Sequence, residues 1–270
     1  MKKIKKFLKE QFFIIYLKFF SECSIIKYVL YYLRLRGKVK LEIYDFLKYF
    51  SRIITMLLVL PLHECAHALV AKWLGDDTAE RQGRITLNPF SHLDPIGAIL
   101  MLFTGFGWAK PVQVNPMRMK KYRSGFALTA LAGPVSNIIA AFVAALARAI
   151  ILSTEAGISA VLKMEYTPLY CTLLLLEFLV VINVGLAVFN LIPLPPLDGF
   201  NVLRYFTNEK FDRWFYTHQR EISYGFLIFI LFLNMDIIPA KYNLLYIAQD
   251  GLTDLILKCV NWIPEKKWGI

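Results

Sequence analysis

The pentapeptide HECAH at 63–67 is the part of the sequence best suited to do chemistry. On an α-helix, positions i and i+4 lie on one face, so the imidazoles of His63 and His67 can converge on one metal ion. Glu64 lies beside them and can take a proton from a water molecule that the metal activates. A zinc ion lowers the pKa of such a water towards ~7. The motif therefore indicates zinc-dependent hydrolysis at neutral pH.

The sequence around this motif makes a purely structural role for it the weaker alternative. Residues 53–74 are apolar and long enough to cross a bilayer, yet two histidines and a glutamate lie near their middle. Each ionisable group in such a span costs about 2.5–3.5 kcal/mol on insertion scales. Three of them together need a partner, and a metal ion is a natural one.

Catalytic zinc commonly has three protein ligands and keeps a position open for water or substrate. The two histidines therefore need a third ligand, and the candidates in or beside apolar segments are His92, Asp94, Glu177, Asp198 and Asp236. Asp198 is favoured because three prolines before it and a glycine after it predict an unwound chain, which membrane proteins tolerate where it lines a cavity. On residue types alone, an ordinary aspartate in a turn at a helix end is an equally good interpretation.

The composition predicts a membrane protein that crosses the bilayer several times. Of the 270 residues, 57% are hydrophobic and the mean hydropathy is +0.49, above what a water-exposed globular surface tolerates. Besides 53–74, the segments 124–153, 168–194 and 223–239 are apolar and long enough to span. The predicted fold class is all-α and polytopic, a helical bundle of about 4–6 transmembrane segments.

A short β-element is predicted next to these spans. The apolar run at 96–108 is too short for a comfortable crossing and contains glycines, which favours a re-entrant element. Segments 84–88 and 112–115 flank it, and each ends at an Asn-Pro turn signal. We expect these two segments to pair as a small hairpin near the active site.

The formal net charge of +11 has two possible explanations. Nucleic-acid binding requires a basic patch in a soluble context together with reading elements, and none is apparent. Lysine and arginine instead cluster between or beside apolar segments, at 2–9, 34–40, 118–123 and 204–220. That distribution is typical of cytoplasmic loops and contact with anionic headgroups. The expected partner is a lipid bilayer, with no role for nucleic acid.

Five motifs occur in a fixed order: HECAH at 63–67, NPFSHLDPIG at 88–97, GWAKPVQVNP at 107–116, GPVSN at 133–137 and NLIPLPPLDG at 190–199. Together they resemble the site-2 protease family of intramembrane zinc metalloproteases, especially its compact bacterial branch related to the sporulation factor-processing protease. The pairing of HExxH with a downstream PPLDG inside apolar sequence is the most specific part. The resemblance covers about residues 53–204, roughly half of the chain.

The resemblance implies an endopeptidase that cuts peptide bonds within or next to transmembrane segments of membrane proteins. It implies that Asp198, in the LDG motif, is the third zinc ligand. It also implies that Asn137 lies near the catalytic centre, where its amide could donate to the oxyanion or hold the substrate backbone. A helix–helix hydrogen bond is the alternative role for Asn137. Three roles remain open for His92 and Asp94: they could shape the site, bind substrate or fix a turn.

Substrate docking is expected at the β-element. A substrate helix hides its own peptide bonds, so it has to be presented as an extended strand. The segments around Ile85 and Val114 resemble the membrane re-entrant β-element of the family, and β-addition to their edge is the expected docking mode.

The resemblance divides the chain into three regions. Residues 1–50 are expected to be an amphipathic or membrane-associated region, 51–204 the intramembrane metalloprotease core, and 205–270 a C-terminal loop, transmembrane helix and amphipathic tail. The protein is expected in a bacterial plasma membrane as a multi-pass protein, and a regulatory membrane partner is a further expectation because no regulatory domain is recognised.

Two other functions are compatible with part of this sequence. A membrane transporter or sensor could bind zinc through the same residues without hydrolysis, but such a site has no need of Glu64 beside the first histidine. A protease that trims prenylated C-termini would also carry HExxH, and the LDG motif after a proline-broken helix argues against it.

Overall fold

The computed structural model describes residues 49–104, 107–163, 167–222, 224–225 and 244–268, and this part of the chain is mostly helical. Almost all of the predicted amphipathic region at 1–50 and of the predicted span at 223–239 lie outside the described residues. The helices, in chain order, are α1 (Tyr49–Trp73), α2 (Thr78–Arg81), α3 (Pro95–Thr104), α4 (Tyr122–Leu152), α5 (Glu155–Lys163), α6 (Pro168–Asn190), α7 (Asp198–Phe206), α8 (Glu209–Thr217) and α9 (Leu244–Trp268).

Among the described residues, α1, α4 and α6 are long and apolar enough to cross a membrane. They correspond to three of the predicted spans, with ends that differ by a few residues. The start of α6 is set by Thr167, whose hydroxyl accepts a hydrogen bond from the Tyr170 amide (3.3 Å), and by proline at the first helical position. Its end comes just before the three prolines, which cannot continue a helix.

Helix α1 contains a π-helical turn at Thr55–Val59, directly before the segment that carries the HECAH motif. Pro61 lies in the next turn and has no amide hydrogen to donate to the preceding turn, so the regular hydrogen-bond ladder is interrupted there. The π-helical turn thus ends four positions before His63, the first of the two motif histidines.

Helix α4 lies at the centre of the bundle and packs against α1, α6, α7 and α9. Its buried face is lined with alanines, which let neighbouring helices approach closely. The largest buried cluster joins this face to α6 and α9 and consists of Ala141, Ala144, Ala145, Ala149, Val180, Val184, Ile256, Leu257 and Val260. The C-terminal helix α9 is therefore part of the bundle.

The structure does not confirm the predicted hairpin. The residues it describes contain no β-strand, and an isolated antiparallel bridge joins Leu93 to Ala109. The two predicted strands are irregular because their polar groups bond elsewhere. Asn88 and Asn115 each cap a short 3-10 helix, and the backbone amide of Val112 donates to a side chain of α1.

Candidate metal centre

Helix α1 and the start of α7 bring three ligand-type side chains together. His63 and His67 lie one turn apart on α1, and both are buried. Asp198 is the first residue of α7, after the unwound proline-rich chain that follows α6. That chain folds back over α7, and a Cβ atom at Gly199 would clash with the carbonyl oxygens of Leu191 and Ile192. The glycine of the LDG motif is therefore needed to place the aspartate.

The three side chains have the geometry of a zinc site. The Nε2 atoms of His63 and His67 are 3.0 Å apart, and they lie 3.2 and 3.3 Å from Oδ2 of Asp198. Ligand atoms of a tetrahedral zinc ion, bonded at ~2.0–2.1 Å, are separated by about 3.3 Å. Two nitrogens and one carboxylate oxygen are also a donor set that suits zinc. His63, His67 and Asp198 are thus placed to hold a metal ion.

A contact from α4 sets the orientation of one histidine. Nδ1 of His67 lies 2.7 Å from the carbonyl oxygen of Thr129, and because a carbonyl only accepts, Nδ1 must be the donor. Nε2 of the same ring then carries the lone pair that faces the other two ligand atoms. Metal-binding histidines are commonly oriented by such a bond through their second nitrogen.

Gly133 of α4 provides the space for both imidazoles. A Cβ atom built at this position would clash with Nε2 of His67 and would lie 2.5 Å from Cε1 of His63. Real Cβ atoms do not approach so closely, so the rings occupy room that only glycine leaves. Pro134 follows directly, and α4 continues through both residues as one helix.

Glu64 is half-buried beside the metal centre and contacts a different part of the chain. Its Oε2 accepts a hydrogen bond of 2.9 Å from the backbone amide of Val112. Val112 belongs to an extended segment, residues 109–115, which we call the strap. In the strap, half-buried side chains such as Val112 and Val114 alternate with exposed ones such as Gln113, as in a strand with one free face. Glu64 therefore lies between the metal centre and an extended stretch of backbone.

Asn137 lies one helical turn after Gly133 on α4, on the face that carries this glycine. It is fully buried, and neither atom of its amide group has a hydrogen-bond partner within the described part of the chain. A buried amide without partners is costly unless a ligand or water satisfies it. Of the two predicted docking residues, Val114 belongs to the strap, and both Ile85 and Val114 are half-buried.

The other ligand candidates from the sequence have different roles or lie elsewhere. Nε2 of the fully buried His92 donates to the carbonyl oxygen of Thr86 (2.8 Å), and Asp94 accepts from the amide of Gly97 (2.8 Å). Both side chains thus fix the turn before α3. Glu177 faces Arg148 on a neighbouring helix. Asp236 lies outside the described residues.

The Asp198 side chain is in the form that binds a cation. Burial raises the pKa of its carboxyl group, but the contacts with the His63 and His67 imidazoles outweigh burial and lower the pKa to about 2. The group is therefore a carboxylate at neutral pH.

Two features of the site could not be identified from the sequence, and a third could be identified only in part. The Thr129 carbonyl and the Val112 amide are backbone groups, which every residue carries, so no residue type signals them. Gly133 did leave a signal, since a glycine inside a long apolar helix indicates a close approach, but its partners are distant in sequence.

Comparison with known proteins gives a consistent result. Residues 51–234 match the family model described as Peptidase family M50. A Bacillus subtilis protein named "Putative zinc metalloprotease YwhC" is 39% identical over 208 residues, which cover 76% of this chain and 89% of the relative. A Mycolicibacterium smegmatis protein named "Putative zinc metalloprotease Rip2" is 27% identical over 187 residues, 66% of this chain and 64% of the relative. No solved structure gives a significant match.

Proposed function

The chain belongs to peptidase family M50 and is an intramembrane zinc metalloprotease of the site-2 protease type, and we propose how its residues divide the work. In this proposal His63, His67 and Asp198 are the zinc ligands. The observation that carries the assignment is the triangle of their ligand atoms, with sides of 3.0, 3.2 and 3.3 Å.

When bound, zinc would act as a Lewis acid that polarises the scissile carbonyl and lowers the pKa of the attacking water. Glu64 is the proposed general base. The Val112 amide holds its Oε2, so that Oε1 is left to take the proton from the water and return it to the leaving amide nitrogen. Asn137 is proposed to donate its amide hydrogen to the oxyanion that develops on the substrate carbonyl.

The substrates are membrane proteins in a lipid bilayer, as the family implies. We propose that cleavage falls within or next to a transmembrane segment, which unwinds and pairs with the strap beside Val114 and with the neighbouring chain at Ile85. On this proposal the re-entrant β-element is completed when the substrate strand is added. Exposed strap residues with an extended backbone support this mode of binding.

The wider organisation of the chain follows from the same proposal. The core is proposed to span 51–204, with 1–50 as a membrane-associated region and 205–270 as a C-terminal region that adds spans, for a total of about 4–6. A multi-pass protein of the bacterial plasma membrane, controlled by a regulatory membrane partner, would fit this organisation. Family membership favours hydrolysis over the non-hydrolytic transporter or sensor considered above.

The proposal is tested by cleavage of single-span reporter proteins in detergent, comparing wild type with Glu64→Gln at matched zinc content. We expect the variant to retain zinc, because Glu64 is not a ligand, and to lose cleavage by roughly 1000-fold. Cleavage at the wild-type rate by the variant would remove Glu64 from the mechanism. Loss of zinc together with activity would place Glu64 among the ligands instead of in the role of base.

A further inference from the structure

The first half of the strap is fixed by two contacts before it reaches Glu64. The amide of Lys110 donates to the carbonyl oxygen of His92 (2.7 Å), and the guanidinium of Arg84 donates to the carbonyl oxygen of Lys110. Two residues later, the Val112 amide donates to Glu64. Both His92 and Arg84 are buried, so the anchor at this end of the strap lies inside the protein.

A buried carboxylate bonds the backbone at the second end of the strap. Oδ2 of Asp76 accepts a hydrogen bond of 2.6 Å from the backbone amide of Asn115. Oδ1 of the same side chain accepts from the amide (3.0 Å) and the hydroxyl (2.5 Å) of Thr78. Asp76 has no exposed surface. Hydrogen bonds to a carboxylate are stronger than neutral ones, so Asp76 links the end of α1 firmly to the end of the strap.

The neighbouring aspartate has a different environment. Asp77 has a side chain that is 37% exposed and forms surface ion pairs with Arg81 and Arg118. The hydrogen bond from Arg81 lowers the pKa of Asp77, as expected for an exposed ion pair. Two consecutive aspartates thus have different partners, because Asp76 bonds the strap backbone and Asp77 pairs with exposed side chains.

We propose that Asp76 is a positioning residue that holds the strap in the extended form in which a substrate strand docks beside Glu64. The inference rests on the proposed function, because it assumes that the strap is the docking edge. Only two residues lie between Val112 and Asn115, so an end released at Asp76 loosens the backbone up to the contact with Glu64. Within the strap, the hydrogen bond between the exposed side chains of Gln82 and Gln113 (2.9 Å) would then remain near the released end.

A released strap would have to be ordered each time a substrate binds. When only a fraction of the protein is in the form that binds substrate, the apparent affinity is the intrinsic affinity multiplied by that fraction. A lost hydrogen bond to a charged group corresponds to about a 10- to 100-fold change. Removing the Asp76 carboxylate should therefore raise KM by about 10- to 100-fold and change kcat much less.

The experiment compares wild type, Asp76→Ala and the matched control Asp77→Ala. Each is assayed for zinc content, for KM and kcat on a single-span reporter that wild type cleaves, and for photo-cross-linking of that reporter to a benzophenone amino acid at position 114. We expect Asp76→Ala to keep its zinc, to show the raised KM and to lose the cross-link. Asp77→Ala should stay within about twofold of wild type, as is usual for exposed ion pairs.

A wild-type KM and cross-link in Asp76→Ala would overturn the inference. Asp76→Ala could instead lose zinc or fold poorly, in parallel with its loss of activity. In that case Asp76→Asn, which keeps the shape of the side chain, decides: a wild-type KM and wild-type cross-linking in this variant would also overturn the inference. With the weaker neutral acceptor, we expect Asp76→Asn to raise KM severalfold at full zinc content. Failure of the proposed function would look different, since Glu64→Gln would then cleave the reporter like wild type.

Discussion

Two of the polar regions that lie among the apolar helices are arranged differently. Between α4 and α6, Nη2 of Arg148 lies 3.6 Å from Oε2 of Glu177, so a cation faces an anion. At the metal centre, Nε2 of His63, Nε2 of His67 and Oδ2 of Asp198 lie within 3.3 Å of one another, and each is an atom that can bind a metal ion. Paired charges neutralise each other inside the bundle, whereas three converging ligand atoms suit a bound cation.

The two regions also differ in what surrounds them. The metal centre has a glycine on α4 that makes room for the imidazoles and a carbonyl on the same helix that orients one of them. The Arg148–Glu177 pair has side chains that are 21% and 13% exposed and lies beside the alanine-rich packing face. In the first region α4 leaves room for ligand side chains to converge, and in the second the two side chains pair with each other. This difference separates a functional site from a structural one in the same bundle.

The largest expected effect comes from removing a member of the metal centre. Asp198→Ala should abolish zinc binding at stoichiometric metal and lower cleavage by roughly 1000-fold or more, because two histidines alone leave the site short of a ligand. Zinc content by elemental analysis and reporter cleavage measure the two effects. A variant that keeps one zinc per chain and wild-type activity would show that another residue is the third ligand.

A smaller effect is expected from filling the space at Gly133. In Gly133→Ala the new methyl group would press on both imidazoles, so zinc affinity should fall by about 10- to 100-fold, as it does when groups that orient metal ligands are disturbed. The matched control is Gly125→Ala on the same helix, where the methyl would meet the flexible side chain of Met119. Competition with a chelator measures both affinities. Equal affinities in the two variants would show that the space at Gly133 is not specific to the metal centre.

Sequence alone predicted the part of the site that depends on local geometry. The spacing of His63 and His67 places them on one face of any helix, and the apolar run around them predicted that helix. The role of Asp198 could not be decided from residue types, because it depends on how α6, the unwound segment and α7 fold back together. The resemblance to a family implies that role, and the structure places the Asp198 carboxylate beside the two histidines.

The hairpin prediction shows where local patterns are insufficient. Residues 112–115 have the alternation of a strand, and in the structure their side chains alternate between half-buried and exposed. The hydrogen bonds of this segment, however, go to Glu64 and Asp76, which lie 48 and 39 residues away in sequence. Pairing partners are a tertiary property, so a short alternating pattern predicts an extended backbone better than it predicts its neighbour.

The smallest expected effect on catalysis comes from the Arg148–Glu177 pair. Glu177→Gln or Arg148→Met alone leaves one charge without its partner between α4 and α6, so each should destabilise the protein by about 1–3 kcal/mol. The double variant removes both charges and should be less destabilised than the sum of the two single variants, because neither charge is left unpaired. Thermal unfolding in detergent measures these differences.

Since the pair takes no part in zinc binding, kcat per bound zinc should stay within about twofold of wild type in all three variants, a range that corresponds to less than 0.5 kcal/mol. A large loss of kcat at full zinc content would show that the pair is coupled to the metal centre through α4, and the contrast between a structural and a functional polar region would then no longer hold.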